Sequence, residues 1–263
     1  MRDSLSGAEH AQAKRSGPLR KAARLFARRP GLAVHAGRVA ASGAVSALRD
    51  DPTLGWLGSA GDVRRAAPDA ILGAEWGGLD TFLAVLREHL KPEDRVLEIG
   101  AGGGRVTRPL AEMAATVAAT DVSDAILDEA RHHASMPNVT FWQVTGFGDN
   151  LHGEYEAVVS HDVFVHFELD ETARYLHNIR RVLALGGLLI VSVYTIDGDT
   201  EENQYVEAIA DGTLGARRVR RFPSAVYETL FKAFGFTVVE AVRTPLDEYS
   251  GKPFGHLNFV ARL

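Results

Sequence analysis

An apolar segment, Val96-Leu97-Glu98-Ile99, runs without a break into Gly100-Ala101-Gly102-Gly103-Gly104. Four glycines in five residues neither pack as a strand nor favour a helix interior, so this stretch is a bend. A helix follows from about Val106, and Pro109 is tolerated in its first turn, where no intrahelical donor is lost. A strand, a tight glycine bend and a helix make the first half of a βαβ unit. Such units build parallel sheets covered by helices.

The same alternation continues along the chain. Upstream, Leu79, Phe82, Leu83, Leu86 and Leu90 repeat at helical spacing until Pro92 stops the helix. Strands are expected at 94–99, 116–120 (ending at Asp121), 139–144, 156–160 (ending at His161) and 188–194. Ser123 is a good N-cap for a helix carrying Ile126, Leu127 and Ala130. Asp170 opens a helix with Leu176, Ile179 and Leu183 on one face, closed by Gly186-Gly187. A polar insertion spans 196–222. Pro223 then starts a helix with Val226, Leu230 and Phe234 inward, ended by Gly235. Strands at 236–243 and 256–263 have no room for a helix between them, so they pair antiparallel.

The expected fold class is α/β: a doubly wound, mostly parallel seven-stranded sheet with a C-terminal antiparallel hairpin and helices on both faces. Residues 1–53 read as a basic extension, and 54–263 as the domain, with 195–222 as a lid-like insertion.

Glycine bends of this kind hold different cofactors. A dinucleotide fingerprint needs Gly-x-Gly-x-x-Gly, but the third glycine falls on Arg105 or Thr107. A Walker loop needs Gly-Lys-Ser/Thr, which is absent. The segment from Val96 to Gly104 instead resembles the first motif of the class I S-adenosylmethionine-dependent methyltransferases, an apolar strand and an acidic residue before Gly-x-Gly-x-Gly. The resemblance covers roughly 79–263.

It implies that Gly100, Ala101, Gly102 and Gly104 let the backbone close on S-adenosyl-L-methionine, with Glu98 beside its ammonium group. The following helix N-terminus faces its carboxylate. Asp121, at the end of the second strand, would hold the ribose hydroxyls, and Val122 would pack on the adenine. After the third strand this family often carries an acidic residue before a glycine. Here Thr145-Gly146-Phe147 stands instead, so Gly146 and Phe147 are the candidates near the adenine, with Asp149 less favoured. Ser160 and Trp76 are further candidate cofactor contacts.

Such a cofactor carries its own activation. The protein's task is to align an acceptor and exclude water, with a base added when the acceptor is an alcohol. The fourth strand delivers Ser160-His161-Asp162-Val163-Phe164-Val165-His166 to the edge where ligands of such sheets bind. The Asn/Asp-Pro-Pro-aromatic signature of many N-methyltransferases is absent. His161 is the first candidate base, His166 the second, and a structural role competes for each. A metal site at His161, Asp162 and His166 would need a distant ligand, so none is assigned. Tyr194 and Tyr205 are candidates for the acceptor pocket. Arg217, Arg218, Arg220 and Arg221 suit an anionic acceptor, against the preferred reading as a solvated charged face.

The expected activity is O-methylation of a small-molecule hydroxyl (a sugar, polyketide or phenol) in the cytoplasm. N- or C-methylation, a non-catalytic cofactor-binding partner subunit and a polyamine synthase stay open as alternatives. Charge argues against nucleic acid as acceptor. Residues 1–50 hold ten Lys/Arg and three Asp/Glu, so the rest of a chain of net charge −5 is strongly acidic. The basic start also has the look of a targeting peptide, but His35 and Arg38 interrupt its apolar run. No stretch reaches the roughly 20 apolar residues of a membrane span. The absence of cysteine excludes disulfides and thiolate chemistry.

Overall fold

The structure is a computed structural model, and it describes residues 77–198, 206, 220–245 and 256–263. The expectations for the basic extension, for Trp76, for Tyr205 and for Arg217 and Arg218 lie outside these residues.

In chain order the elements are α1 (Leu79–His89), β1 (Arg95–Ile99), α2 (Thr107–Met113), β2 (Thr116–Asp121), α3 (Asp124–Ala134), β3 (Val139–Gln143) and β4 (Tyr155–Ser160). A 3-10 turn (Phe164–His166) follows, then α4 (Leu169–Arg180), β5 (Leu183–Thr195), β6 (Arg221–Phe222), α5 (Ser224–Ala233), β7 (Thr237–Arg243) and β8 (His256–Arg262). The sheet order is β3-β2-β1-β4-β5-β8-β7. β1 to β5 run parallel, and β8 is antiparallel to both β5 and β7. The doubly wound sheet with its antiparallel end is therefore the one expected. An eighth strand is added, because β6 pairs in parallel with Tyr194 and Thr195 at the end of β5.

Each strand of the middle of the sheet sends alternate side chains into two cores. Val96, Val159, Ile190 and Val260 join α1, α2 and α3 on one face, with Phe82, Leu86, Leu110 and Leu127. Leu97, Val158, Leu189, Val191 and Phe259 join α4 and α5 on the other, with Leu176, Ile179, Tyr227 and Phe231. Burial on both faces is why β5 reads as an apolar run rather than an alternation: Leu189, Ile190 and Val191 are all fully buried.

Helix ends follow local chemistry. The Ser123 side chain accepts from the Ile126 N–H and so satisfies a donor at the start of α3; such caps contribute about 1 kcal/mol. Glu168 and Glu171 form a reciprocal capping box on α4.

Two expectations are corrected. Gly186-Gly187 does not close α4, which ends at Arg180; Leu183 already belongs to β5 and pairs with Tyr155. The register then breaks between Tyr155 and Ala157, and Gly186 takes φ 78°, so the glycines bend a strand. In α5 the deepest residues are Tyr227 and Phe231, while Val226, Leu230 and Phe234 are half-buried. Tyr227 and Phe231 reach further into the core than the Val226, Leu230 and Phe234 stripe, of which Leu230 and Phe234 pack against its edge.

Candidate active site

The bend after β1 sits at the carboxyl edge of the parallel strands. Gly100 and Ala101 both donate backbone N–H bonds to the Thr120 carbonyl at 2.8 Å, which turns the chain over the end of β2. Gly100, Gly102 and Gly104 all have left-handed φ, of 78°, 55° and 90°. Their surroundings differ. A Cβ on Gly100 would lie 2.1 Å from Val163 Cγ2, and one on Gly104 would lie 2.9 Å from the Ala134 Cβ of α3. These two glycines are required by the protein's own packing. A Cβ on Gly102 would meet nothing within 4 Å. Of these three glycines, Gly102 is the one at which the bend opens onto space clear of the described residues.

Two buried carboxylates flank that opening. Asp121 accepts from the Gly102 N–H and the Ser123 N–H, each at 3.1 Å, which leaves lone pairs for further donors. Burial raises its pKa to about 6, against the lowering effect of those backbone donors. Glu98 accepts from Thr107 Oγ1 at 2.6 Å, at the first residue of α2. Burial lifts it to about 7, with Asp121 adding to the rise and Thr107 and Arg105 opposing it. Two desolvated acids near an open backbone cradle suit a ligand bearing a cation and hydroxyl donors. The fit to a nucleoside carrying an ammonium group is good.

The remaining expected contacts distribute unevenly. Val122 is part-exposed at the end of β2, and its carbonyl accepts from Gln143 Nε2 at 2.7 Å. Gly146, at φ 56°, is exposed beside the half-buried Phe147, whose ring lies 4.3 Å from the Arg174 guanidinium carbon. Ser160 turns inward instead: it is buried and donates to the Ile99 carbonyl at 2.9 Å, tying β4 to β1. Its hydroxyl serves the junction of the two strands.

His161 lies inside the fold. Its side chain is fully buried, stacked on Phe82 with centroids 4.5 Å apart. Neither ring nitrogen has a hydrogen-bond partner among the described residues. Burial lowers its pKa to about 3, overriding the raising effect of Asp162. A group that gives up its proton so readily is a poor base near neutral pH. His166, half-buried at the end of the 3-10 turn after β4, retains surface at the same edge.

Sequence reasoning did not anticipate what surrounds His161. Phe82, His161, His256 and Tyr194 form one column of rings, with successive centroids 4.5, 4.9 and 4.5 Å apart. Arg221 lies 5.4 Å from the Tyr194 ring. Asp162 lies beside the column, 2.5 Å from His256 Nε2 and paired with Arg105. His161, Asp162 and His256 have the ligand types and closeness of a metal site. Yet Arg105 already neutralises the carboxylate from a buried position, and a metal ion would have to displace it or sit against it.

Residues 96–187 match the family model of a methyltransferase domain. The chain is 28% identical over 132 residues to a ubiquinone biosynthesis O-methyltransferase of Caulobacter sp. (strain K31), covering 49% of this chain and 48% of that one. It is 39% identical over 85 residues to a protein-L-isoaspartate O-methyltransferase of Methanoculleus marisnigri, covering 30% and 38%. Among solved structures, it resembles magnesium protoporphyrin IX methyltransferase from Synechocystis PCC 6803 with bound S-adenosylhomocysteine. That match has a TM-score of 0.57 and 22% identity, over 70% of this chain and 80% of that one.

Residues 96–187 thus match a methyltransferase domain, and the described residues share the fold of S-adenosylmethionine-dependent methyltransferases. The chain spans about half the length of the O-methyltransferases of ubiquinone biosynthesis that it matches. No helix among the described residues is long and apolar enough to cross a membrane.

Proposed function

We propose that the chain is a cytoplasmic methyltransferase that uses S-adenosyl-L-methionine to methylate a hydroxyl of a small molecule. The observation that carries the cofactor is the open backbone at Gly102 between the two buried acids, Glu98 and Asp121. Glu98 and the start of α2 would receive the amino-acid end, Asp121 the ribose, and Val122, Gly146 and Phe147 the base. When bound, the sulfonium supplies a methyl group already activated for in-line displacement. The chain then has to hold the acceptor oxygen opposite the departing sulfur, keep water out and take up the hydroxyl proton. The names of the two curated relatives above place the methyl on oxygen in those proteins, which supports the same acceptor atom here.

Calorimetry with S-adenosylhomocysteine tests the reading. Binding is expected; heat with NAD, and none with either form of the nucleoside thioether, would overturn it.

His166 is the base candidate that keeps access to this edge. His166→Ala should lower kcat at least tenfold on a hydroxyl acceptor drawn from a panel, with homocysteine-form affinity unchanged. An undiminished kcat would remove His166 from that role.

The raised carboxyls predict a pH dependence. The ligand recruits both acids in their charged forms, whereas the free protein favours their protonated forms below about pH 6 to 7. Affinity therefore falls as pH drops through that window. It should be on the order of tenfold weaker at pH 6 than at pH 7.5, with proton release on binding below pH 7. For the unliganded protein the sign reverses. Carboxyls raised in the folded state contribute stability at low pH, and this is lost as pH rises through about 6 to 7. An affinity constant across the window would show that these two acids do not face the ligand.

A further inference from the structure

Asp162 is the one described residue other than glycine with left-handed backbone, at φ 59°. Such a conformation persists only where its surroundings hold it, and such sites often serve function. Three parts of the fold hold this one: β5, β8 and the glycine bend. The Asp162 N–H donates to Ser192 Oγ of β5 at 2.9 Å. Its carboxylate lies 2.5 Å from His256 Nε2, at the start of β8. The same carboxylate is paired with Arg105, the residue that directly follows Gly104. The next residue, Val163, fills the space against Gly100 that a Cβ there would occupy. Both ends of the glycine bend are thus held from the turn after β4, one by an ion pair and one by packing.

We propose that Asp162 is a positioning residue for cofactor binding, which sets the shape of the glycine bend through Arg105 and ties that bend to β8 through His256. Arg105 stands where a dinucleotide fingerprint would place its third glycine. The Arg105 side chain is 9% exposed and that of Asp162 12%, so the pair is shielded from solvent. Burial opposes ionisation of Asp162, but contact with His256 and the Arg105 guanidinium favours its charged form. Loss of the carboxylate charge removes the ion pair that ties Arg105, at the end of the bend, to the turn after β4. Without that tie the end of the bend is free to shift away from the turn after β4. The cradle at Gly102, rather than the sheet, is what this displaces.

The inference rests on the S-adenosylmethionine reading, and one calorimetric series separates the two. If the unaltered protein binds no S-adenosylhomocysteine, the cofactor reading fails and this inference falls with it. If it binds, Asp162→Asn and Arg105→Gln are compared with it. Asparagine keeps the size of the side chain and tolerates left-handed backbone. Each variant should bind S-adenosylhomocysteine at least tenfold more weakly while melting as a folded protein. The double variant should be no weaker than the poorer single one, because the two residues act as one unit. Arg105→Lys, which keeps the charge, should recover most of the affinity.

Affinities within twofold of the unaltered protein, or losses that add in the double variant, would overturn the inference while leaving the cofactor reading intact. Should Asp162→Asn fail to fold, Arg105→Gln and Arg105→Lys decide alone. Failure of both Asp162→Asn and Arg105→Gln to fold would assign the pair to stability and overturn the inference equally.

Discussion

Asp121→Ala is expected to weaken S-adenosylhomocysteine binding by about 100-fold. A hydrogen bond to a charged group contributes about 1.5–3 kcal/mol, and the proposed ribose contact uses two. Part of that gain is offset, because removing a carboxylate that burial has pushed to about pKa 6 also removes its desolvation cost. A net loss near 3 kcal/mol corresponds to about 100-fold in affinity. The variant also deprives the Gly102 N–H of its acceptor, which loosens the bend at the point where it faces the ligand. Calorimetry gives the affinity directly, and Asp121→Asn separates charge from shape. A loss below fivefold in Asp121→Ala would mean that the ribose is held elsewhere.

The second large effect divides the glycines of one motif by mechanism. Gly100→Ala puts a methyl group 2.1 Å from Val163 Cγ2 in a backbone region that L-residues avoid. The left-handed conformation costs roughly 1–2 kcal/mol, and forcing apart a packed contact costs about 1–3 kcal/mol more. The melting temperature should fall by about 5–15 °C, at roughly 2–4 °C per kcal/mol for a domain of this size. Gly102→Ala carries the backbone strain alone, since its Cβ meets open space. Its melting temperature should fall by only a few degrees, while S-adenosylhomocysteine affinity drops at least tenfold. Thermal melts and calorimetry on the two variants together test this division. Equal destabilisation, with affinity retained in Gly102→Ala, would place the ligand away from the bend.

The order of strands and helices was legible because each element carries its own periodicity. Ser123 was readable as a cap because capping is a contact with a residue three positions away. The bend was readable because glycine at positive φ is a local requirement. Features that depend on distant neighbours were not readable in the same way. Nothing in the run Leu183 to Leu188 announces that Gly186 bends a strand; its N–H bonds to the Leu263 carbonyl at the far end of the chain. The stripe Val226, Leu230 and Phe234 has correct helical spacing, yet the opposing sheet takes Tyr227 and Phe231 deepest. His161 stands at the end of its strand as expected, but Phe82 and His256 close over it and make it neutral and inaccessible.

The amino-acid order by itself therefore determined the α/β alternation, the parallel sheet with its antiparallel end, and the glycine bend flanked by Glu98 and Asp121. Each of these arises from backbone preferences and side-chain periodicity within a few residues. Tertiary structure decided which glycines serve packing and which one opens to a ligand. It also brought Arg105, Asp162, His161 and His256 together from three separate stretches of chain. Burial and charge pairing arise only when those stretches meet. The protonation of Glu98 and His161 and the grip of Asp162 on the bend follow from that meeting.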